Sequence, residues 1–147
     1  MKKNIKDVKE STRKVVHVNK ILKRNDKKDL YFNNIKILKQ WIKDLRSGKY
    51  IQTTSCLKSE YNNYCCLGVL SEQIKNYEVI KSLNWKFIDR KWKKPHYKNE
   101  EGEIPKQIMK KIGFSKDLQE ELITMNDLLD FNFIEISNFL NDNILKD

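Results

Sequence analysis

Apolar residues recur at helical spacing in several stretches of the chain, most clearly between Asn34 and Ser47. Residues three and four positions apart form one apolar stripe there, and lysines take the opposite face; the stripe consists of Ile35, Leu38, Ile42 and Leu45. Asn33 or Asn34 suits the N-cap, and Gly48 suits a left-handed residue just past the C-terminus. The pattern therefore predicts a helix over residues 34–47.

Four further helices are predicted downstream of this one. The residues of Tyr64–Lys75 are apolar nearly all round, and Gly68 inside that stretch indicates a close approach of another backbone. A helix starts at Pro105 and ends before Gly113. The last two predicted helices form a hairpin. The first is capped by Ser115, and its apolar stripe consists of Leu118, Leu122, Met125, Leu128 and Leu129. The second covers about Phe133–Leu145, and its expected buried residues are Ile134, Ile136, Phe139, Leu140 and Ile144.

Three stretches change to the alternating period of a strand. Lys49–Leu57 alternates and is rich in β-branched residues, and Tyr77–Ile80 and Asn84–Asp89 fit short strands. Together with the helices, they predict an α+β fold: a mainly helical single domain with a small antiparallel sheet and a C-terminal helical hairpin. The domain is expected to span residues 30–147. Residues 1–29 are predicted to be a basic N-terminal arm, with a short helix around Thr12–Arg24.

Charge is distributed unevenly along the 147 residues. The net charge is +7 over residues 1–29, +9 over residues 30–114 and −6 over residues 115–147, within a total of +10. Such a dipole attracts anionic ligands to one end of the molecule, and it lets the acidic end dock on the basic part within one chain or between two copies. The charge distribution is therefore compatible with a homo-oligomer as well as with a monomer.

Cysteine count and hydropathy bear on the cellular compartment. The three cysteines, an odd number, form no disulfide framework, which favours a reducing cytoplasm. No apolar run approaches the roughly 20 residues that cross a bilayer, and the N-terminus lacks the apolar region of a secretion signal. We therefore expect a cytoplasmic protein with no membrane partner.

Catalytic motifs are absent from the sequence. It contains no phosphate-binding loop, dinucleotide fingerprint, H-E-x-x-H or G-x-S-x-G. A nucleophile pair drawn from a cysteine and His96 is conceivable, but thiols in an apolar helix are more often inert core. The set Cys56, Cys65, Cys66 and His96 lacks the C-x₂-C spacing of zinc sites. The sequence favours binding over catalysis and predicts no metal and no cofactor.

The strongest candidate ligand site follows the helix over residues 34–47. Arg46, Lys49, Tyr50, Gln52, Thr53 and Thr54 lie within nine residues. Arg and Lys suit phosphate, Tyr suits stacking, and Gln and Thr suit base or ribose edges. This set predicts a site for a small anionic, nucleotide-like ligand. The alternative is that the same residues form only an ordinary capped helix followed by an amphipathic strand.

A second candidate is the basic, aromatic stretch 85–98. Lysines and arginine alternate there with rings, an arrangement typical of surfaces that bind single-stranded nucleic acid: Lys86, Arg90, Lys91, Trp92, Lys93 and Lys94. Trp85, Phe87 and Trp92 would serve equally well as core. The alternative function is therefore a nucleic-acid-binding protein that uses this stretch and the N-terminal arm.

Four blocks of the sequence resemble a family of small phage and bacterial proteins that are mostly uncharacterised. The blocks are W-I-K-D-L-R-S-G-K-Y-I-Q (41–52), Y-C-C-L-G-V-L (64–70), I-P-K-Q-I-M-K-K-I-G-F (104–114) and L-I-T-M-N-D followed by F-I-E-I-S-N-F-L (122–140). The family pattern reads W-x₃-L-R-S-G-x-Y-x-Q, C-C-L-G-V-L and L-x₂-L-N-D. The chain departs from it at Ser71, where a third cysteine is common, and at T-T-S, where G-K-G often follows the glutamine.

The resemblance implies a phage or prophage setting, so the expected compartment is the cytoplasm of a bacterial host cell. Small phage proteins without catalytic motifs often act by binding, including antagonists of host defence that sequester a nucleotide signal or block a nucleic-acid-handling protein. From the L-x₂-L-N-D match, Asn126 and Asp127 are expected to orient the candidate ligand residues. The leading hypothesis is a non-enzymatic binding protein for a nucleotide-like anion, with a host defence protein or nucleic acid as the alternative partner.

Overall fold

The computed structural model of the protein describes residues 5–24, 29–75 and 103–146, with side chains from residue 12 to residue 23 in the first helix. These residues form six α-helices and a C-terminal π-helical turn. The helices are α1 (Ile5–Arg24), α2 (Ile35–Arg46), α3 (Cys66–Ile74), α4 (Lys106–Ile112), α5 (Lys116–Asp127) and α6 (Phe133–Phe139), and the π-helical turn covers Leu140–Ile144.

The α+β prediction, with its antiparallel sheet, is wrong for the described residues. They contain no strand, only isolated bridges such as the parallel pair Gln52 and Tyr64. The predicted strand Lys49–Leu57 is an irregular segment because it pairs with single residues of a neighbouring turn, and because Ser55 has a φ of +67° that interrupts extended backbone. The predicted strands Tyr77–Ile80 and Asn84–Asp89 lie outside the described residues.

Helix α2 confirms the helix predicted from the apolar stripe. The side-chain oxygen of Asn34 accepts a hydrogen bond from Ile37 N at 3.1 Å, which makes Asn34 the N-cap. Gly48, just past the helix, has a φ of +75°, as a left-handed terminating residue requires. The buried face of α2 packs against α3 and α6, so this helix forms the centre of the fold.

An aromatic cluster joins the segment before α2, α2 itself and the residue that follows Gly113. The ring centroids of Phe32, Trp41 and Phe114 lie 5.2 to 5.9 Å apart. Phe32 and Phe114 are held side by side because Asn33 N donates to Gly113 O at 2.9 Å. Gly113 ends α4, as predicted, and its backbone has the left-handed conformation. Pro105 is the N-cap of α4 rather than its first residue.

The predicted helix after Tyr64 is confirmed as α3, and it starts two residues later than expected. Its residues Cys66 to Ser71 are all buried. The indole Nε1 of Trp41 donates to the carbonyl oxygen of Cys66 at 2.9 Å, which satisfies the polar atom of the largest buried side chain. The close backbone approach predicted at Gly68 is confirmed, and the approaching residue is Leu57.

Helices α5 and α6 follow the two helices predicted at the C-terminus, but two apolar residues are exposed. Ser115 Oγ accepts from Leu118 N and caps α5, as predicted. Leu128 is 76% exposed and Ile134 is 49% exposed, so their expected burial is wrong. The cause for Leu128 is that α5 ends at Asp127, so the helical stripe no longer determines which way the side chain points.

Helix α1 is longer than the predicted helix over Thr12–Arg24, and it is attached to the domain. Ile21 is fully buried, and Lys14 Nζ lies 2.8 Å from Glu135 Oε1 on α6. Lys14 also donates to Asp130 O at 3.1 Å and lies over the ring of Phe131. Among the described helices, none is long and apolar enough to cross a membrane.

Candidate anion-binding groove

Arg46, the last residue of α2, is held by α6. Its Nε donates to Ser137 Oγ and its Nη2 donates to Asn138 Oδ1, both at 2.9 Å. The basic side chain at the end of α2 also suits the negative end of the helix dipole. Arg46 is exposed to solvent in spite of these two bonds.

Gln52 and Asn126 form the centre of a hydrogen-bond network. Both N–H groups of the Gln52 amide are used, because Nε2 donates to Asn126 Oδ1 at 2.9 Å and to Phe131 O at 2.7 Å. Asn126 is 2% exposed, and its Oδ1 also accepts from Cys66 N at 3.2 Å. Its Nδ2 donates to Thr53 O at 2.9 Å and to Asp127 Oδ1 at 2.7 Å. The full hydrogen-bonding capacity of the Asn126 amide is therefore used inside the protein.

Tyr50 and Lys49 contact each other and the turn that carries Tyr64. The rings of Tyr50 and Tyr64 meet edge to face, with centroids 5.0 Å apart, and Lys49 Nζ lies 5.4 Å from the Tyr50 ring centroid. Burial raises the pKa of the Tyr50 hydroxyl, with Lys49 as the main opposing influence. The Tyr50 ring is thus used for internal packing.

The predicted ligand residues therefore fall into separate groups. Gln52, Thr53, Asn126 and Asp127 are brought together, and their polar atoms are directed at one another. Lys49 and Tyr50 pack beside Tyr64. Arg46 bonds to α6, and in the described part of the chain no hydrogen bond joins it to the Gln52–Asn126 network.

Arg46 lines a groove between α2 and the C-terminal π-helical turn. The groove measures about 490 Å³, and its lining residues are Lys39, Ile42, Lys43, Arg46, Ser47, Asn141 and Leu145. Lys39, Lys43 and Arg46 are four and three residues apart on one face of α2, so the three cations follow the groove. The aliphatic side chains of Ile42 and Leu145 give it an apolar surface. We call these seven residues the basic groove.

Two features of the basic groove escaped the sequence predictions. From the sequence, Lys39 and Lys43 belong to the lysine-bearing face of the predicted helix over residues 34–47, and Asn141 and Leu145 fall within the predicted last helix. The i, i+4, i+7 spacing of Lys39, Lys43 and Arg46 was the available signal that these cations share a face. Nothing in the spacing indicated that the C-terminal turn would form the opposite side.

Two of the three cysteines lie in surroundings that oppose nucleophilic chemistry. Cys65 and Cys66 are buried, and Cys56 is half-buried. Burial raises the pKa of the Cys65 thiol to about 12 and raises that of Cys66 well above its ordinary value. Since the thiolate is the nucleophile and the metal-binding form, these two thiols are inert at neutral pH. No cluster of three or more potential metal ligands occurs among the residues described.

The nucleic-acid candidates Lys86, Arg90, Lys91, Trp92, Lys93 and Lys94 all lie outside the described residues. Helix α1, from the predicted basic arm, is described. Arg13, Lys20 and Lys23 are exposed along it, at spacings that place them on one face. Lys14 and Ile21 face the domain instead.

The fold and the basic groove define a small, mainly α-helical protein with an open cationic site. A family model matches residues 31–146, and the chain belongs to that family, which is described as Domain of unknown function (DUF8296). No curated protein and no solved structure matches the chain. Helix α1 precedes the matched region, whereas every residue of the basic groove lies within it.

Proposed function

We propose that this protein is a non-enzymatic binding protein that captures a nucleotide-like anion in the basic groove. The observation that carries the proposal is the combination of three cations along one face of α2 with an aliphatic surface beside them. Phosphate groups would lie against Lys39, Lys43 and Arg46, and a base or another flat apolar group would cover Ile42 and Leu145.

The location differs from the one that the sequence suggested, although Arg46 belongs to both. The side-chain amides of Gln52 and Asn126 and the backbone carbonyl of Thr53 are hydrogen-bonded within the protein. These residues are therefore poorly suited to ligand contacts. We assign them a structural role in this proposal. Thr54, although exposed, lies outside the lining of the groove.

A phage setting would give this capture a biological use. The resemblance to small phage proteins supports a counter-defence role in which the protein sequesters a nucleotide signal of the host. Sequestration requires the ligand to be bound stoichiometrically and released unchanged. Equilibrium dialysis against a nucleotide, followed by denaturation and chromatography of the released ligand, would check both requirements at once.

Calorimetric titration with nucleoside phosphates and cyclic dinucleotides tests the binding proposal. We expect binding that Lys43→Glu and Arg46→Ala each weaken by about tenfold or more, because each removes a charged contact to phosphate. Lys111→Glu is the matched charge control, since this exposed lysine on α4 lies outside the groove. Tyr50→Ala should leave affinity unchanged. No binding, or equal losses in the groove and control variants, would refute the proposal.

A second candidate function is nucleic-acid binding, favoured by the exposed row Arg13, Lys20 and Lys23 on α1. A single-stranded oligonucleotide could contact this row without using the basic groove. Its affinity should fall steeply with salt, because each phosphate contact releases counterions. A triple change of these three residues to glutamine should reduce the salt dependence, whereas Lys43→Glu should leave it unchanged. The opposite pattern would assign the oligonucleotide to the groove.

A further inference from the structure

We propose that Ser137 and Asn138 are positioning residues for the basic groove. On this proposal, they hold Arg46 so that one end of its guanidinium is presented to a ligand that carries more than one phosphate. The inference rests on the proposed function and adds to it how the groove would recognise its anion.

The geometry of the guanidinium supports this role. Nε and Nη2 lie on the same edge of the group, and α6 accepts a hydrogen bond from each of them. An arginine has five N–H donors, so three remain, two on Nη1 and one on Nη2. In the described part of the chain these three N–H groups have no hydrogen-bond partner. One N–H of Nη1 and one of Nη2 form a pair at the outer end of the guanidinium. Such a pair matches two oxygens of one phosphate.

The acceptor that holds Arg46 is itself fixed in orientation. Ser137 is fully buried, and its hydroxyl donates to Ile134 O at 2.7 Å. Because that bond commits the hydroxyl proton, the oxygen can only accept from Arg46. The exposed Asn138 adds a second acceptor one residue further along α6. An arginine held at two points loses less rotational freedom when it binds an anion.

The spacing of the cations defines the class of ligand. Lys39, Lys43 and Arg46 extend over about 10 Å along the helix axis, at a rise of 1.5 Å per residue. A single inorganic phosphate can contact only part of that row. A nucleoside diphosphate or a cyclic dinucleotide carries two phosphates, so it can contact Arg46 and Lys43 together. We therefore expect affinity to rise from a monophosphate to a diphosphate.

The competing explanation is that the bonds of Arg46 only attach the end of α2 to α6. A double-mutant cycle separates the two roles. The affinity for adenosine diphosphate would be measured for the wild type, Asn138→Ala, Arg46→Ala and the double variant, with adenosine monophosphate as a second probe. Asn138 is exposed, so its alanine variant should fold normally, and Ser137→Ala would be a second, buried test.

If Asn138 acts through Arg46, Asn138→Ala should weaken diphosphate binding about fivefold in the wild-type background and have no effect beside Arg46→Ala. The Arg46 Nε–H signal in a nitrogen–proton NMR spectrum should also lose protection from exchange in Ser137→Ala without any ligand. Equal effects of Asn138→Ala in both backgrounds, or none in either, would overturn the inference while leaving the binding proposal intact. If the wild type bound neither adenosine diphosphate nor a cyclic dinucleotide, both proposals would be overturned.

Discussion

Gly68 on α3 lies directly against the backbone of Leu57. A Cβ atom added to Gly68 would be 1.7 Å from Leu57 O and 2.7 Å from Leu57 C. The contact holds the irregular segment before the turn against α3, and Cys65 N strengthens it by donating to the same carbonyl oxygen at 3.2 Å. The glycine within C-C-L-G-V-L is therefore required by packing.

Gly68→Ala should be strongly destabilising. The clashing atoms belong to a backbone, which cannot rotate away as a side chain can, so we expect a loss of about 3 kcal/mol or more in the free energy of unfolding. Urea unfolding followed by circular dichroism would measure it. Gly48→Ala is the control: it has nothing within 4 Å but a φ of +75°, so it should cost only about 1 to 2 kcal/mol. Equal losses in the two variants would contradict the close approach.

Asn126→Ala should also be costly because it removes a buried centre of hydrogen bonds. The backbone N–H of Cys66 and the Gln52 amide would lose an acceptor, and Thr53 O would lose a donor. With two or three buried groups unsatisfied, the expected loss in unfolding free energy is about 3 kcal/mol or more. Gln107→Ala, an exposed change on α4, should stay within about 0.5 kcal/mol. An Asn126 variant as stable as the control would refute the network.

Thiol reactivity should separate the three cysteines. At pH 8 the folded protein should react slowly with a thiol reagent at Cys65 and Cys66, because burial prevents both access and ionisation. Cys56, which is only half-buried, should react first. In urea, all three should react rapidly. Mass spectrometry of labelled peptides would assign the sites, and rapid labelling of Cys65 in the folded state would contradict its burial.

The same burial predicts a pH dependence of stability. The pKa of Cys65 rises on folding from its ordinary value of 9.0 to about 12, so the unfolded chain loses this proton at lower pH than the folded protein. The contribution is fully present below pH 9 and is lost progressively as the pH rises from there toward 12. Urea unfolding from pH 7 to pH 10.5 should show falling stability, and Cys65→Ala should reduce the slope. A slope unaffected by this change would argue against the buried thiol.

Lys14→Met should loosen α1 without altering its exposed face. The change keeps the aliphatic length but removes the charge that contacts Glu135, Asp130 O and the Phe131 ring. Since the ion pair is partly exposed, we expect a loss of about 1 kcal/mol or less, and less still at high salt. Hydrogen exchange should accelerate in α1, whereas Lys20→Met, on the exposed side, should leave it unchanged. Equal acceleration in both variants would contradict the assigned contact.

Much of the helical structure was predictable because its signals are local. The stripe on α2, the caps at Asn34 and Ser115, and the glycines at 48 and 113 all depend on residues within a few positions of one another. The β-branched alternation of Lys49–Leu57 misled the fold prediction because a strand requires a neighbouring partner, and this segment pairs only with single residues of a turn. The sequence likewise indicated that Gln52 and Asn126 are important, but it predicted a role in ligand binding. In the structure, their amides are hydrogen-bonded to each other and to neighbouring segments.

The sequence by itself determined approximately where helices α2 to α6 lie and most of the apolar positions on them, since both follow from the helical repeat. Tertiary structure alone decided which side chains meet across the chain. Arg46 bonds to residues 91 and 92 positions away, and Asn126 joins segments 60 to 74 positions away. Spacing along one helix specifies a face, but it does not specify the helix that packs against it, and the basic groove exists only because the C-terminal turn lies beside α2.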